Sequence, residues 1–509
     1  MIFRYYAKYW EFFRGSLGRK DWNSGSVQDL QPSLDDILTV YIPTHIPSAH
    51  KDKPIVICIC IGGDVKEEVR LSISQYGKSK KTDRLEIVEW DGDYLSSKIE
   101  KHFLQEDLLP KGMRPLLRKS LALLDEPQAS FGYFYRLIQS LSSEEYKNES
   151  ERLTAMRQIN ICLWILFAWS KDVNNLESSY LSSEICVLHA WELCKENFKK
   201  KTKAAKKMQL TFTGILQTYQ SITIEYLSKV VMPYANTMHG LSYAVRSSEY
   251  IDTNLKLFDV IGRLSISGLW TYWNVSVLEK DNKNIQLYSE QIALFSKTLK
   301  QIIVNNPVLF SPIKDSQAID IGIALLFLSF TDDNENDSIN WLTEMLNRSL
   351  FSFESNGMYP CVYDDYYKLL DHPENRSDEY KKDATAASIL YPTIGLWAAL
   401  LKNNDLYEAI QRSFKEKLSH CNYQFWYVGD TTESQLYLNN DVHGAAFSHV
   451  PINLPADEFL KAVWDECDQS DCFKKLSCVE SGLWPLLLIA CRHYRLPIPI
   501  DFTLGYRDK

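Results

Sequence analysis

Residues 54–61, Pro54-Ile-Val-Ile-Cys-Ile-Cys-Ile61, form an unbroken β-branched run closed by Gly62-Gly63. Such a run is what a strand buried on both faces requires. Asp64 is placed to cap a helix carrying Glu67, Glu68, Leu71 and Ile73. Leu85-Glu-Ile-Val-Glu-Trp90 reads as a second short strand, ended by Asp91-Gly92. Tyr94, Leu95, Ile99 and Phe103 follow at helical spacing. Strand, helix, strand, helix in this order predicts a βαβ unit with a parallel strand pair.

Working outward, the flanks differ in kind. Residues 1–53 read as irregular: an aromatic-basic start, a polar stretch at 23–33 and a Pro/His segment at 42–50. From about 107 onward no strand pair is expected. Periodicity of 3.6 residues predicts helices over 114–141, 151–170, 180–200 and 208–245. Further helices are expected near 250–276, 283–304, 315–330, 338–352, 383–402, 404–418, 455–467 and 477–494. The expected fold class is therefore mainly α: a small N-terminal α/β module, then a large all-helical region of stacked hairpins, either a solenoid or an incomplete α/α ring. The expected divisions are 1–53, the α/β module 54–106, a helical linker domain 107–207 and a helical-hairpin domain 208–509. Gly-Leu-Trp recurs at 268–270, 395–397 and 482–484, without a fixed period. Each reads as a helix using Gly for close backbone approach and Trp to fill the next layer.

Composition narrows the class. A chain of 509 residues exceeds what one core needs, so two to four domains are expected. With 45% hydrophobic residues, wholesale disorder is excluded. The formal charge of −9 gives no global pull toward nucleic acid, so any such binding must be local. An odd set of 11 scattered cysteines reads as reduced thiols in the cytoplasm. The N-terminus has charges inside its apolar run and is not read as secretory. The longest apolar run, Ile161 to Trp169, is too short to span a bilayer, so no membrane partner is expected.

Several clusters of chemistry-bearing residues stand out, each with a plainer reading. The strand ends offer Asp64, Asp91 and Asp93 where an open parallel sheet binds ligands, although turn glycines with Asp caps explain them too. Cys58 and Cys60 share a strand face, but with no second pair nearby they read as buried apolar thiols. Cys467, Cys472, Cys478 and His493 match no compact zinc spacing. Asp441, His443 and His449 share one loop and serve equally as caps. Tyr363, Asp364, Asp365 and Tyr366 lie in an acidic-aromatic stretch that would line a ligand cleft on an α/α scaffold, or simply be a solvated loop. Lys199, Lys200, Lys201 and Lys203, in a basic run from 195 to 207, are the nucleic-acid candidates; a solvated helix face is the alternative. No cofactor or metal is expected.

Two resemblances add to this. The segment Leu85-Glu-Ile-Val-Glu-Trp-Asp-Gly-Asp-Tyr-Leu-Ser-Ser-Lys-Ile-Glu-Lys-His-Phe-Leu104 resembles the last strand and helix of restriction-endonuclease-like domains. Phe258-Asp-Val-Ile-Gly-Arg-Leu-Ser-Ile-Ser-Gly-Leu-Trp270, Asn305-Asn-Pro-Val-Leu-Phe-Ser-Pro312 and Ala490-Cys-Arg-His-Tyr-Arg-Leu-Pro497 resemble the helical part of large bacterial phage-defence and mobile-element proteins. That family's catalytic acid-x-Lys strand is missing: residues 55–61 hold neither acid nor lysine, and Glu86 and Glu89 lack the following lysine. The region before 54 is also too short for the front half of that fold. No catalytic residue is carried over.

The resemblance implies a non-catalytic, nuclease-degenerate component of a bacterial defence or mobile-element system, binding a protein or nucleic-acid partner through a helical platform. One alternative is an α/α-scaffold enzyme or binder for a carbohydrate-like ligand. Another is a metal-dependent nuclease with an atypical site, using Asp64, Asp91 or Asp93 with Lys66 or Lys98.

Overall fold

A computed structural model describes residues 17–27, 29–46, 53–60, 65–90, 109–143, 146, 148–245, 247, 249–279, 282, 284–331, 335–372, 377–439, 445–447 and 450–507. The chain is mainly helical and divides into two compact units, Met1–Arg114 and Pro115–Lys509.

In the first unit, α1 (Arg19–Asn23), α2 (Leu30–Asp36) and α3 (Ile42–His45) precede β1 (Ile55–Cys60), α4 (Glu67–Lys80) and β2 (Leu85–Trp90). The strands pair in parallel from Ile55↔Leu85 to Cys60↔Trp90. A core of Leu17, Trp22, Leu34, Ile59, Val65, Val69, Ile73 and Tyr76 joins β1 and α4 to the early helices. Tyr76 Oη donates to Asp35 at 2.7 Å, and its ring meets Trp22 edge-on. Residues 19–23 and 30–45, within the stretch read as irregular, are thus helical, with Trp22 and Leu34 buried in the core shared with α4. Leu30, Leu34, Ile37 and Leu38 repeat at helical spacing and pack in or against this core, a signal that is short and interrupted by Pro32 and Pro43.

Strand β1 is not buried on both faces among the described residues. Ile59 is buried, but Val56 and Cys58 are exposed, so Cys58 is not the buried thiol its strand position suggested. Helix α4 covers one face only. The helix expected at 94–103 lies outside the described residues, as do Asp64, Asp91 and Asp93. The N-cap of α4 is Lys66, with no side-chain cap bond.

The second unit opens at the second residue of α5 (Arg114–Ala122) and continues with α6 (Pro127–Ser142), α7 (Glu149–Asp172), α8 (Glu177–Phe198), α9 (Lys203–Tyr226), α10 (Gly240–Ala244), α11 (Tyr250–Val277) and α12 (Asn284–Asn305). Then come α13 (Ala318–Thr331), α14 (Asn336–Ser355), α15 (Tyr366–Asp371), α16 (Asp378–Ala384), α17 (Leu390–Leu400) and α18 (Asn404–Glu416). The last helices are α19 (Thr432–Gln435), α20 (Ala456–Cys467), α21 (Cys472–Lys475), α22 (Ser477–Glu480) and α23 (Pro485–Tyr494).

Helix α8 packs against α6, α7, α9 and α23, and α11 against α12, α13 and α23. Both are polar in places yet buried along most of their length, because small residues admit their neighbours. Ser178 Oγ lies 2.6 Å from Ser130 Oγ, which donates to Ser120 O at 2.8 Å. At Gly268 a Cβ would stand 2.2 Å from the Phe327 ring. That is the close approach the first Gly-Leu-Trp implied. Gly395 is looser, 3.0 Å from the end of Ile452. Gly482 is different: it lies outside any helix at φ +74, where glycine is favoured.

Two small sheets were not expected here. β3 (Ala387–Ser388) pairs in parallel with β4 (Asn422–Tyr423), and β5 (Phe425–Tyr427) pairs antiparallel with β6 (Ala445–Phe447). Strands of two or three residues are too short to show alternation. β3 splits the expected 383–402 helix, of which α17 is the second half. The expected 477–494 helix breaks after α22 and restarts at Pro485, at a position that tolerates proline.

Candidate functional site

The densest chemistry in the second unit is a buried ionic network on α8, α11, α13 and α23. Arg263 is 1% exposed, although it sits inside the apolar run of α11. Its Nη1 and Nη2 reach Glu177 Oε2 and Oε1 at 3.0 and 2.5 Å, and Nη2 lies 2.6 Å from Asp259. Lys256 Nζ meets Glu177 at 2.6 Å. Arg492 bonds Asp259 at 2.9 Å and Glu184 at 2.8 Å, and His493 Nδ1 is 3.1 Å from the other Glu184 oxygen. Arg495 holds Asp320 at 2.9 Å. The Arg263 guanidinium stacks over Tyr180 and Tyr226, with centroids at 4.3 and 4.9 Å.

Four acids, Glu177, Glu184, Asp259 and Asp320, face four bases, Lys256, Arg263, Arg492 and Arg495, so the formal charges of these eight cancel. Burial opposes ionisation of Glu177, Glu184 and Asp259, but the neighbouring arginines outweigh it and hold all three below the usual carboxylate range. Asp320 goes the other way: burial raises it, and Arg495 and Arg492 offset only part. Its Oδ1 has no hydrogen-bond partner and lies where a Cβ on Gly262 would sit. A network that consumes its own charge holds helices together; it leaves no net charge for a ligand. The sequence carried a signal for it, namely charged residues at 259, 263 and 492 inside otherwise apolar helices.

The lysine candidates fall on the α8–α9 turn. Lys199 pairs with Glu480, and Lys200 Nζ donates to Asn197 Oδ1 at 2.8 Å. Lys195 is committed to Glu192 and Glu433. Lys201 and Lys203, with Lys206 and Lys207 beyond the candidate set, are exposed and have no ion-pair partner among the described residues. Lys203, Lys206 and Lys207 share one face of the first turns of α9. Thr202 caps that helix, accepting from Ala205 N at 3.1 Å. The helix dipole adds to the same positive end.

The acidic-aromatic candidates have local partners. Asp364 is 72% exposed and pairs with Lys314 at 2.7 Å. Asp365 caps α15, accepting from Lys368 N at 3.0 Å. Tyr366 Oη donates to Asp252 at 2.8 Å, and Tyr363 packs on Tyr380. These contacts spread the four residues along α15 and its approach rather than converging them on one point. Asp441, His443 and His449 lie outside the described residues. Cys467 and Cys478 are buried, and no cluster of three metal-ligating side chains occurs among the described residues.

A groove of about 660 Å³ runs beside α13, α17 and α20, lined by Leu328, Phe330, Trp397, Leu400, Trp464 and Tyr506 among others. No helix among the described residues is long and apolar enough to cross a membrane. Comparison of the chain with family models, with curated proteins and with solved structures finds no match.

Proposed function

We propose that this protein is a binding component that engages a polyanion, in the first place nucleic acid, through the lysine turn between α8 and α9. The observation that carries the reading is the unpaired set Lys201, Lys203, Lys206 and Lys207, exposed on one helix start of a chain whose net charge is −9. Unpaired lysines on successive turns track phosphates, and they do so in proportion to the counterions released. Helix pairs packed in chain order form the platform, read as stacked hairpins. The resemblance to phage-defence and mobile-element proteins supplies the setting: a non-catalytic partner in such a system.

The test is binding of labelled nucleic acid over a salt series. Each lysine changed to Ala should lower the slope of log affinity against log salt by about 1. A quadruple variant, Lys201, Lys203, Lys206 and Lys207 to Ala, with unchanged affinity and slope would overturn the proposal.

A further inference from the structure

The lysine turn does not stand alone on its surface. Helices α7 and α9 lie side by side, joined by Thr218 Oγ1 donating to Asn160 Oδ1 at 3.4 Å and by Lys171–Glu225 at 3.7 Å. Trp164 falls between these two contacts, one turn beyond Asn160 and two turns before Lys171, and so on the same side of α7. It is 49% exposed. One exposed apolar ring is ordinary on a protein surface; what sets Trp164 apart is that it shares a helix seam with the basic residues of the lysine turn.

The rest of the seam is consistent with one occupant. Arg157, two turns before Trp164, is exposed and has no ion-pair partner among the described residues. On α9, Lys203, Lys206, Lys207, Leu210, Thr213, Gln217 and Ser221 form one exposed stripe, which runs past Thr218, the residue bonded to Asn160 one turn before Trp164. Two carboxylates flanking the seam are paired, Glu225 with Lys171 and Lys229 and Glu196 with Arg152; Glu149, at the start of α7 on the Asn160 side, is outnumbered by Lys201, Lys203, Lys206, Lys207 and Arg157. From Lys207 to Ser221 the helix rises about 20 Å. Trp169, also exposed, lies about 140° round α7 and belongs to another face.

From this geometry we infer that the α7–α9 seam is a track for single-stranded nucleic acid, with phosphates on the lysine turn and Arg157 and a base stacked on Trp164. The inference rests on the polyanion reading above and deepens it. A duplex keeps its bases stacked on each other and offers an exposed indole nothing but backbone, whereas an unpaired base gives a π-face to any aromatic ring. Charge complementarity favours a phosphate chain over an apolar peptide as the occupant.

The experiment compares Kd for oligothymidylate and oligouridylate of about 12 nucleotides with Kd for a duplex of the same length, at fixed salt, on the full chain. Trp164→Ala should weaken both single strands about tenfold and leave the duplex unchanged, with Trp164→Phe in between. Lys203→Ala/Lys207→Ala should weaken all three probes. The DNA and RNA arms tell which sugar is preferred; equal affinities would fit stacking without readout of the 2′-hydroxyl. If Trp164→Ala moves nothing, or moves duplex and single strands equally, while the lysine variant still weakens binding, the track is wrong and the polyanion reading stands. If the lysine variant moves nothing, the polyanion reading falls and the track with it. A thermal melt of each variant separates loss of binding from loss of fold.

Discussion

Arg492 Nη2 stands 2.8 Å from Glu184 Oε1, a contact between residues 308 positions apart in the chain. Glu184 is fully buried and Arg492 nearly so. The same guanidinium reaches Asp259 in α11, so one side chain near the end of the chain ties α23 to two other helices. Removing one partner of a buried ion pair leaves the other charge without compensation, at a cost of about 3–5 kcal/mol. Glu184→Gln should therefore lower the free energy of unfolding by about 3 kcal/mol, read from the urea midpoint at constant slope. Replacing both partners by apolar residues, Glu184→Leu with Arg492→Met, should cost less than the two single changes added together. Additive losses would show that the pair is not coupled.

Three acids of the network and two buried acids outside it pull the pH dependence in opposite directions. Glu177, Glu184 and Asp259 are held below their unfolded values by adjacent cations after burial has pushed the other way. A depressed carboxyl stabilises the fold above its unfolded pKa of about 4 and loses that contribution as pH falls further. Asp315 has the opposite sign. Burial pushes its carboxyl up to about 6, although it accepts from Ser388 Oγ, Ile389 N and Leu390 N at the start of α17. A raised carboxyl penalises the fold above pH 6, and the penalty fades as pH falls from 6 toward 4. Asp501, raised to about 6 by burial, adds to the same arm. Burial also holds His189 down to about 3 and lowers His372 and His420, and these remove stability as pH falls below about 6.5, so the acids are read by difference between variants. The stability of the wild type minus that of Asp315→Asn should rise as pH falls from 6 toward 4, with the acid limb the same in both. A difference that does not change with pH would remove Asp315 as a source.

Sequence reading reached what is local and stopped where structure is made at a distance. Pro54 to Ile61 and Leu85 to Trp90 announce strands because their β-branched and aromatic residues leave little else to be. The long helices α7, α8, α9 and α11 repeat their apolar residues often enough to be seen. The strand pairs at 387–388 and 422–423 are too short to repeat anything. The ionic partners of Arg492 lie in α8 and α11, so only the oddity of a charge amid Leu, Ile and Ala pointed to them. Trp164 reads as core from its apolar neighbours, and only the packing of α7 on α9 leaves it outside. Lys199 and Lys200 look the same as Lys201 and Lys203 in the chain. The fold distinguishes them by bringing Glu480 and Asn197 to the first two.

The recurring Gly-Leu-Trp tripeptide gives a graded test, since its three glycines sit in three environments. A Cβ at Gly268 would enter the Phe327 ring at 2.2 Å, and the ring is fully buried, so any shift pushes it into packed neighbours. Gly268→Ala should cost about 1–3 kcal/mol, the range for overpacking a filled core. At Gly395 the nearest atom, 3.0 Å away, is the far end of Ile452, which can rotate. There the clash is small, and alanine in a helix interior gains up to about 1 kcal/mol over glycine, so Gly395→Ala should be close to neutral. Gly482 meets nothing within 4 Å, yet its φ of +74 costs an L side chain about 1–2 kcal/mol through the backbone alone. The three causes separate by rescue. Phe327→Leu should recover part of the loss at Gly268 and none at Gly482, whereas Gly482→Asn should cost less than Gly482→Ala because asparagine tolerates the left-handed region. Urea midpoints of these single and double variants decide it. Equal losses at 268, 395 and 482 would mean that the tripeptide acts as a common motif instead of three separate solutions.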